Sequence, residues 1–302
     1  MNLAQFDEVS KNYVDVQENA CVVLEQIEPE TRFSRDKWNK EIGYGITRVL
    51  ENGKFLEKAA VNFSNVSGKY TQQMAETAGQ HGKYFNATGV SSIIHPVHPH
   101  APIIHMNIRY FELDTGKKWF GGGIDLTPHY IDKQEAKYFH HQLKSLCDAF
   151  GDNFYSAFKE WADQYFYIPH RDETRGIGGI FFDQLEPSKN INFENLLEFT
   201  VRLGRLYPSL YTSIIKQKHN HDYTAKEKEW QLIRRSRYAE FNLVYDRGTR
   251  FGLESGGNAE SILISLPPEV RWKYHVAPEK NSEEQKTLTL LKKGIDWINI
   301  EL

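Results

Sequence analysis

The chain has 302 residues, 40% of them hydrophobic and 25% charged, a globular balance that excludes a disordered or collagen-like polymer. Its formal net charge of -3 excludes a global basic field for nucleic acid or anionic lipid, so an anionic ligand needs a local arginine cluster. The two cysteines, Cys21 and Cys147, match no C-x-x-C or zinc spacing and read as reduced thiols.

Residues 3–27 set Phe6, Val9, Tyr13, Val16, Ala20, Val23 and Ile27 three and four apart, the apolar face of a helix. This start is acidic and amphipathic, unlike a signal or transit peptide, and no apolar run is long enough to span a bilayer. The expected location is the cytoplasm, without stable membrane insertion. Strands are predicted over 44–50, 54–63, 84–95, 103–112 and 119–126, with turn signals such as Glu51-Asn52-Gly53 between them. Helices are predicted over 133–150 and 152–167, a strand over 178–183, and helices over 192–218 and 225–235. Strands follow over 237–246, 249–254 and 260–266, the first two as a hairpin turning at Asp246-Arg247-Gly248, and a last helix over 283–299. Runs of strands without strict βαβ alternation predict an α+β fold, read as one domain over 1–302, with helices packed on an antiparallel sheet.

Several polar segments carry chemistry. On a strand, His105, Asn107 and Arg109 share one face while Ile104, Met106, Ile108 and Tyr110 share the other. The polar row offers an acid/base imidazole, an orienting amide and a bidentate anchor for a carboxylate, or else it simply meets solvent. Upstream, His95, His98, His100 and His105 fall close together, and His140 and His170 could add to a metal site. The interleaved prolines and the spacing match no metal fingerprint. Trp119-Phe120-Gly121-Gly122-Gly123-Ile124-Asp125 fits either a bulge or a close ligand contact, and no phosphate-loop pattern is present. The strand predicted over 237–246 places Glu240, Asn242 and Asp246 on one face. A carboxylate at Asp246 suits the N–H donors of a ligand, although Asp-Arg-Gly is also an ordinary turn. In Glu254 to Ser261, the glycines Gly256 and Gly257 expose N–H groups that bind an anion or merely link two strands.

Together these segments resemble the oxygen-dependent coproporphyrinogen III oxidase family. The resemblance rests on Gly89-Val90-Ser91 leading to His95-Pro96 and on His105-x-Asn107-x-Arg109-Tyr110-Phe111. It continues through Trp119 to Pro128, His170-Arg171 to Gly179, Glu240 to Gly248, and Glu260-Ser261-Ile262-Leu263 to Pro267-Pro268. It spans about Trp38 to Tyr274, in order. It implies a large, flat antiparallel sheet covered by helices on both faces, and a homodimer. The implied activity is oxidative decarboxylation of coproporphyrinogen III to protoporphyrinogen IX with molecular oxygen as co-substrate and no organic cofactor. The implied catalytic groups are His105 and Asp246. The implied substrate contacts are Ser91, Asn107, Ile108, Arg109, Arg247, Gly256, Gly257 and Asn258. Bacterial relatives make His95, His105, His140 and His170 candidates for a divalent metal. The chain departs from the family at His98-Pro99-His100, and at Asn258, where bacterial relatives often have arginine; Arg250 is the nearby substitute. Two rival readings are a tetrapyrrole carrier without turnover and a metal-dependent hydrolase or oxygenase.

Overall fold

The computed structural model describes residues 3–216, 218, 221–254 and 256–302. Helix α1 (Leu3–Glu25) leads into strands β1 (Ser34–Lys40), β2 (Gly43–Glu51) and β3 (Leu56–Lys69). The short helix α2 (Gln72–Ala78) precedes β4 (Tyr84–Pro96), β5 (Ile103–Leu113) and β6 (Lys118–Thr127). Helices α3 (Lys133–Asp148) and α4 (Phe154–Tyr165) follow, then the two-residue strands β7 (Tyr167–Ile168) and β8 (Glu173–Thr174), and β9 (Gly179–Leu185). The remainder is helical: α5 (Phe193–Ile215), α6 (Ala225–Val244), α7 (Arg247–Glu254), α8 (Ala259–Leu263) and α9 (Glu283–Leu290). Ser255 and residues 217, 219 and 220 lie outside the described residues.

One seven-stranded sheet runs in the order β1-β2-β3-β4-β5-β6-β9, with every neighbouring pair antiparallel. The α+β prediction holds. Ile104, Met106, Ile108 and Tyr110 of β5 join Val9, Tyr13 and Val16 of α1 and Leu203 and Tyr207 of α5 in the main core. The same core includes Phe6 near the start and Trp297 near the end of the chain. Each such side chain, fully buried, contributes roughly 1.5–3 kcal/mol. The opposite face of the sheet is covered at its ends. Tyr238 of α6 packs with Ala60, Ile93 and Ile103, and Phe251 of α7 packs against Phe85. The middle of that face is left as a cleft.

The three strands predicted over 237–246, 249–254 and 260–266 are helical instead. Helix α6 is started by a capping box in which Thr224 and Glu227 exchange hydrogen bonds. It then runs on to Val244, because Tyr238, Phe241 and Tyr245 recur on one helical face, while Leu243 and Val244 are exposed. Asp246 is no hairpin turn: its Oδ2 accepts the Thr249 N–H at 2.7 Å, three residues on, as the cap of α7. Helix α9 stops at Leu290, short of the predicted 299. Strand β1 escaped prediction because it is an edge strand with little burial, only Trp38 and its neighbours giving a weak pattern. Among the described residues no helix is long and apolar enough to cross a membrane.

Candidate active site

The cleft floor is a grid set by strand register. Ile93, His105 and Asp125 lie side by side across β4, β5 and β6; next come Ser91, Asn107 and Gly123; then Gly89, Arg109 and Gly121. Directly paired residues share a face, so the small residues keep the floor low around three functional side chains. A Cβ on Gly121 would sit 2.8 Å from Arg109 Nε, so only glycine lets that guanidinium cross β6 to Asp183. The β6–β9 pairing shifts register between Phe120 and Gly122, with Asp183 and Gln184 of β9 facing Gly121 alone, so the extra residue lies on β9, and Gly122 and Gly123 line the cleft. The roof is α7, α8 and the end of α6. The cavity between them measures about 1560 Å³, larger than the roughly 300–1,000 Å³ of most small-molecule pockets. Tyr165, Phe181, Trp119 and Phe251 add aromatic walls, which suits a large flat ligand.

His105, 20% exposed at its side chain, meets Asp125 Oδ1 through Nδ1 at 3.1 Å. Asp125 is buried and also receives Arg175, through Nη2 at 2.6 Å and Nε at 3.1 Å. Burial alone would raise the Asp125 carboxyl, but Arg175 and then His105 hold it below its usual range. An ionised carboxylate only accepts, so His105 donates from Nδ1 and leaves Nε2 as the nitrogen that can exchange a proton. Arg175 is itself buried. It gives Nη1 to Asn242 at 2.7 Å and lies within 4.7 Å of the Phe166, Tyr238 and Phe241 ring centroids. Sequence reasoning assigned Asp125 no role and offered Arg171 and Arg175 local ion pairs with Asp172 or Glu173; Arg175 pairs with Asp125 and Arg171 with Glu240 instead. The alternation Gly121, Gly123, Asp125 already placed the carboxylate on the polar face.

Asp246 reaches the same cleft. Its Oδ1 accepts the Tyr165 hydroxyl at 2.9 Å, and its Oδ2 accepts both the N–H and the hydroxyl of Thr249. Three bonds leave about one of the roughly four acceptor sites of a carboxylate for a ligand. Asp183 bridges Arg109 at 2.9 Å and Arg247 at 3.3 Å. Two guanidiniums therefore share one carboxylate, and an incoming carboxylate restores the balance. Gly256, Gly257 and Asn258 line the roof; the Asn258 amide is held by Ser261 at 2.9 Å, and Gly256 takes φ +74°. Arg250, exposed on α7, faces the cleft as well.

Of the predicted contacts, Ser91, His105, Asn107, Arg109, Asp246, Arg247, Gly256, Gly257 and Asn258 come together here. Ile108 does not: its side chain points to the main core on the opposite face, leaving only its main chain to the floor. Glu240 and Asn242, predicted on one face with Asp246, diverge on the helix. Glu240 binds His170, Arg171, Arg237 and Trp272 outside, while Asn242 meets Arg175 inside.

The four candidate metal ligands do not converge. His95 gives Nε2 to the Ser265 carbonyl at 2.9 Å. His140 uses both ring nitrogens, on Tyr155 and the Ile177 carbonyl at 3.0 Å each, within the core. His170 lies outside on Tyr245 and Glu240. Among the described residues no group of three or more His, Cys, Asp or Glu side chains is placed to hold a metal. These residues do not fit a resident metal. Nor do the extra histidines supply a site: His98 meets the His221 carbonyl and His100 meets Glu227.

The buried histidines have a consequence for stability. Burial pulls His140 down from 6.5 to about 3, and pulls His95 and His129 well below 6.5. Groups depressed in the folded state stabilise it above their unfolded value near 6.5 and lose that contribution as pH falls from there. Taking the pH from 7.5 to 5 should therefore cost about 2 kcal/mol through His140 alone. Urea midpoints at the two pH values test this. His140→Gln, if it folds, should flatten the dependence; an unchanged slope would contradict the assignment.

Comparison with known proteins gives a consistent result. The sequence pattern of the family described as "Coproporphyrinogen III oxidase" matches residues 8–297. The chain is 45% identical over 302 residues to a protein of Rattus norvegicus named "Oxygen-dependent coproporphyrinogen-III oxidase, mitochondrial", covering 95% of this chain and 67% of that protein. The Homo sapiens protein of the same name is 45% identical over 301 residues, covering 94% of this chain and 65% of that one. The chain spans about two thirds of the length of these relatives.

Proposed function

The chain belongs to the coproporphyrinogen III oxidase family, and from that premise we propose that it converts coproporphyrinogen III to protoporphyrinogen IX with molecular oxygen, in haem synthesis. Each of two propionates follows R–CH2–CH2–COO⁻ + O2 + H⁺ → R–CH=CH2 + CO2 + H2O2. The pair of the C–COO⁻ bond becomes the new C=C bond. The hydride leaving the β-carbon, with one proton, reduces oxygen to hydrogen peroxide. The tetrapyrrole is electron-rich and supplies the redox chemistry itself, so the protein's work is positioning and proton handling.

The observation that carries this reading is the placing of two ionisable groups, His105 and Asp246, on the floor and roof of one wide cleft beside under-neutralised arginines. Asp246 accepts a pyrrole N–H at its remaining acceptor site and takes that proton. His105, held by Asp125, moves a proton at Nε2. Arg109 and Arg247 register propionates, with Asn107, Ser91 and the Gly256–Asn258 loop bordering the macrocycle. A non-catalytic carrier has no need of this acid/base pair. Two further proposals accompany the activity. The exposed Trp272 and Tyr274 support association into a homodimer, which sedimentation tests. The buried, unpaired Cys21 and Cys147 support a reducing compartment such as the cytoplasm, which fractionation tests.

The test is anaerobic mixing of metal-stripped protein with coproporphyrinogen III, then admission of oxygen and chromatography of the oxidised porphyrins. Protoporphyrin, formed through a three-carboxylate intermediate, is the expected product. Recovery of coproporphyrin alone, with or without added manganese or iron, sinks the proposal. Recovery of activity only on adding metal overturns the metal-free mechanism.

A further inference from the structure

Behind the cleft, where α6 meets the chain between β4 and β5, five buried polar atoms have no hydrogen-bond partner among the described residues. They are Nε and Nη1 of Arg235, Nδ1 of His95, Nε2 of His129 and Oε1 of Gln231. All four residues are fully buried. They gather around one stretch of main chain. Arg235 Nη2 donates to the Pro96 carbonyl at 2.7 Å, Gln231 Nε2 donates to the Pro96 and His98 carbonyls, and His129 Nδ1 lies 3.1 Å from the Pro99 carbonyl. His95 immediately precedes Pro96. Buried polar atoms in folded proteins are nearly always hydrogen-bonded, so this cluster marks an occupied place.

The fixed bonds reveal what each free atom offers. A carbonyl only accepts, so His129 must donate from Nδ1, which leaves Nε2 as a lone pair. By the same logic His95 donates Nε2 to the Ser265 carbonyl and keeps a lone pair at Nδ1. Gln231 turns its NH2 to two carbonyls, so its oxygen faces away from them. Three acceptors and the two donor nitrogens of Arg235 therefore belong to residues that meet or adjoin the same Pro96–Pro99 main chain. An anion is repelled by the three lone pairs. A metal cation, which those lone pairs would otherwise suit, is repelled by the Arg235 guanidinium, whose one carboxylate partner, Glu57 at 2.6 Å, sits on Nη2. What remains is a small neutral molecule that accepts and donates at once.

We propose that this is a built site for internal water, about two molecules at the usual three hydrogen bonds each, linking Arg235 to His129, His95 and Gln231. The waters fasten the middle of α6 to the end of β4, on the helix that leads to Asp246.

A crystal structure of the wild-type protein at a resolution that orders buried waters tests this, with a bromide-soaked crystal alongside. The expected result is density refining as water within hydrogen-bond distance of Arg235 Nε or Nη1 and of at least one of the three acceptors, with no anomalous signal. Bromide at the same place would establish an anion site, and a metal edge there a cation site; either overturns the proposal. So does direct contact between Arg235 and an imidazole with no density between them. None of these outcomes depends on the enzyme's activity.

Discussion

Asp246→Ala is expected to lower turnover by about two to four orders of magnitude, the usual worth of a positioned acid/base group. The loss has two parts that the structure separates. Asp246 caps α7 through Thr249 and holds the Tyr165 hydroxyl, so alanine also removes a cap worth about 0.5–2 kcal/mol. Asp246→Asn keeps an oxygen for the Thr249 N–H but carries no charge and cannot take a pyrrole proton. It should melt within a few degrees of the wild type and still be inactive. The readouts are thermal denaturation and the rate of protoporphyrin formation under saturating substrate. If the asparagine variant turns over at near-normal rates, Asp246 is only a cap, and the proton passes elsewhere.

The sheet and half of the site were legible because their pattern is local. The period-two alternation of β5 separated His105, Asn107 and Arg109 from the core residues, and the structure keeps that separation. Helix α6 was misread for a physical reason. Phe241, Leu243 and Tyr245 alternate with polar residues over a short window, which mimics a strand. The helical spacing emerges only when Tyr238 is included and the capping box at Thr224 is followed through. The misreading moved Glu240 to the wrong side. Its actual partners, His170, Arg171, Arg237 and Trp272, come from separate parts of the chain, and no sequence period announces them. The same applies to the histidines. Their number and the family resemblance suggested a metal, although their spacing did not, and what each ring nitrogen binds depends on tertiary contacts, such as the Ile177 carbonyl for His140. Strand β1 gave no signal because little of it is buried.

Asp125 is the position where the structure adds most to the sequence, and Asp125→Asn should be the most damaging single change to stability. The carboxylate is 2% exposed and its partner Arg175 is 1% exposed. Replacing the pair by apolar groups can be neutral, but removing one partner leaves an uncompensated buried charge, at a cost of about 3–5 kcal/mol. Three aromatic rings lie near the Arg175 guanidinium within 4.7 Å, and they soften the loss without replacing the carboxylate. The double variant Asp125→Asn with Arg175→Met should therefore be less destabilised than the sum of the single changes, because no stranded charge remains. Turnover should behave differently. Both Asp125→Asn and the double variant remove the carboxylate that fixes Nδ1–H on His105, so both should lose about two orders of magnitude or more in kcat. Recovery of stability without recovery of rate is the signature of a carboxylate that positions the imidazole. A double variant that regains both would show that Asp125 serves only to neutralise Arg175.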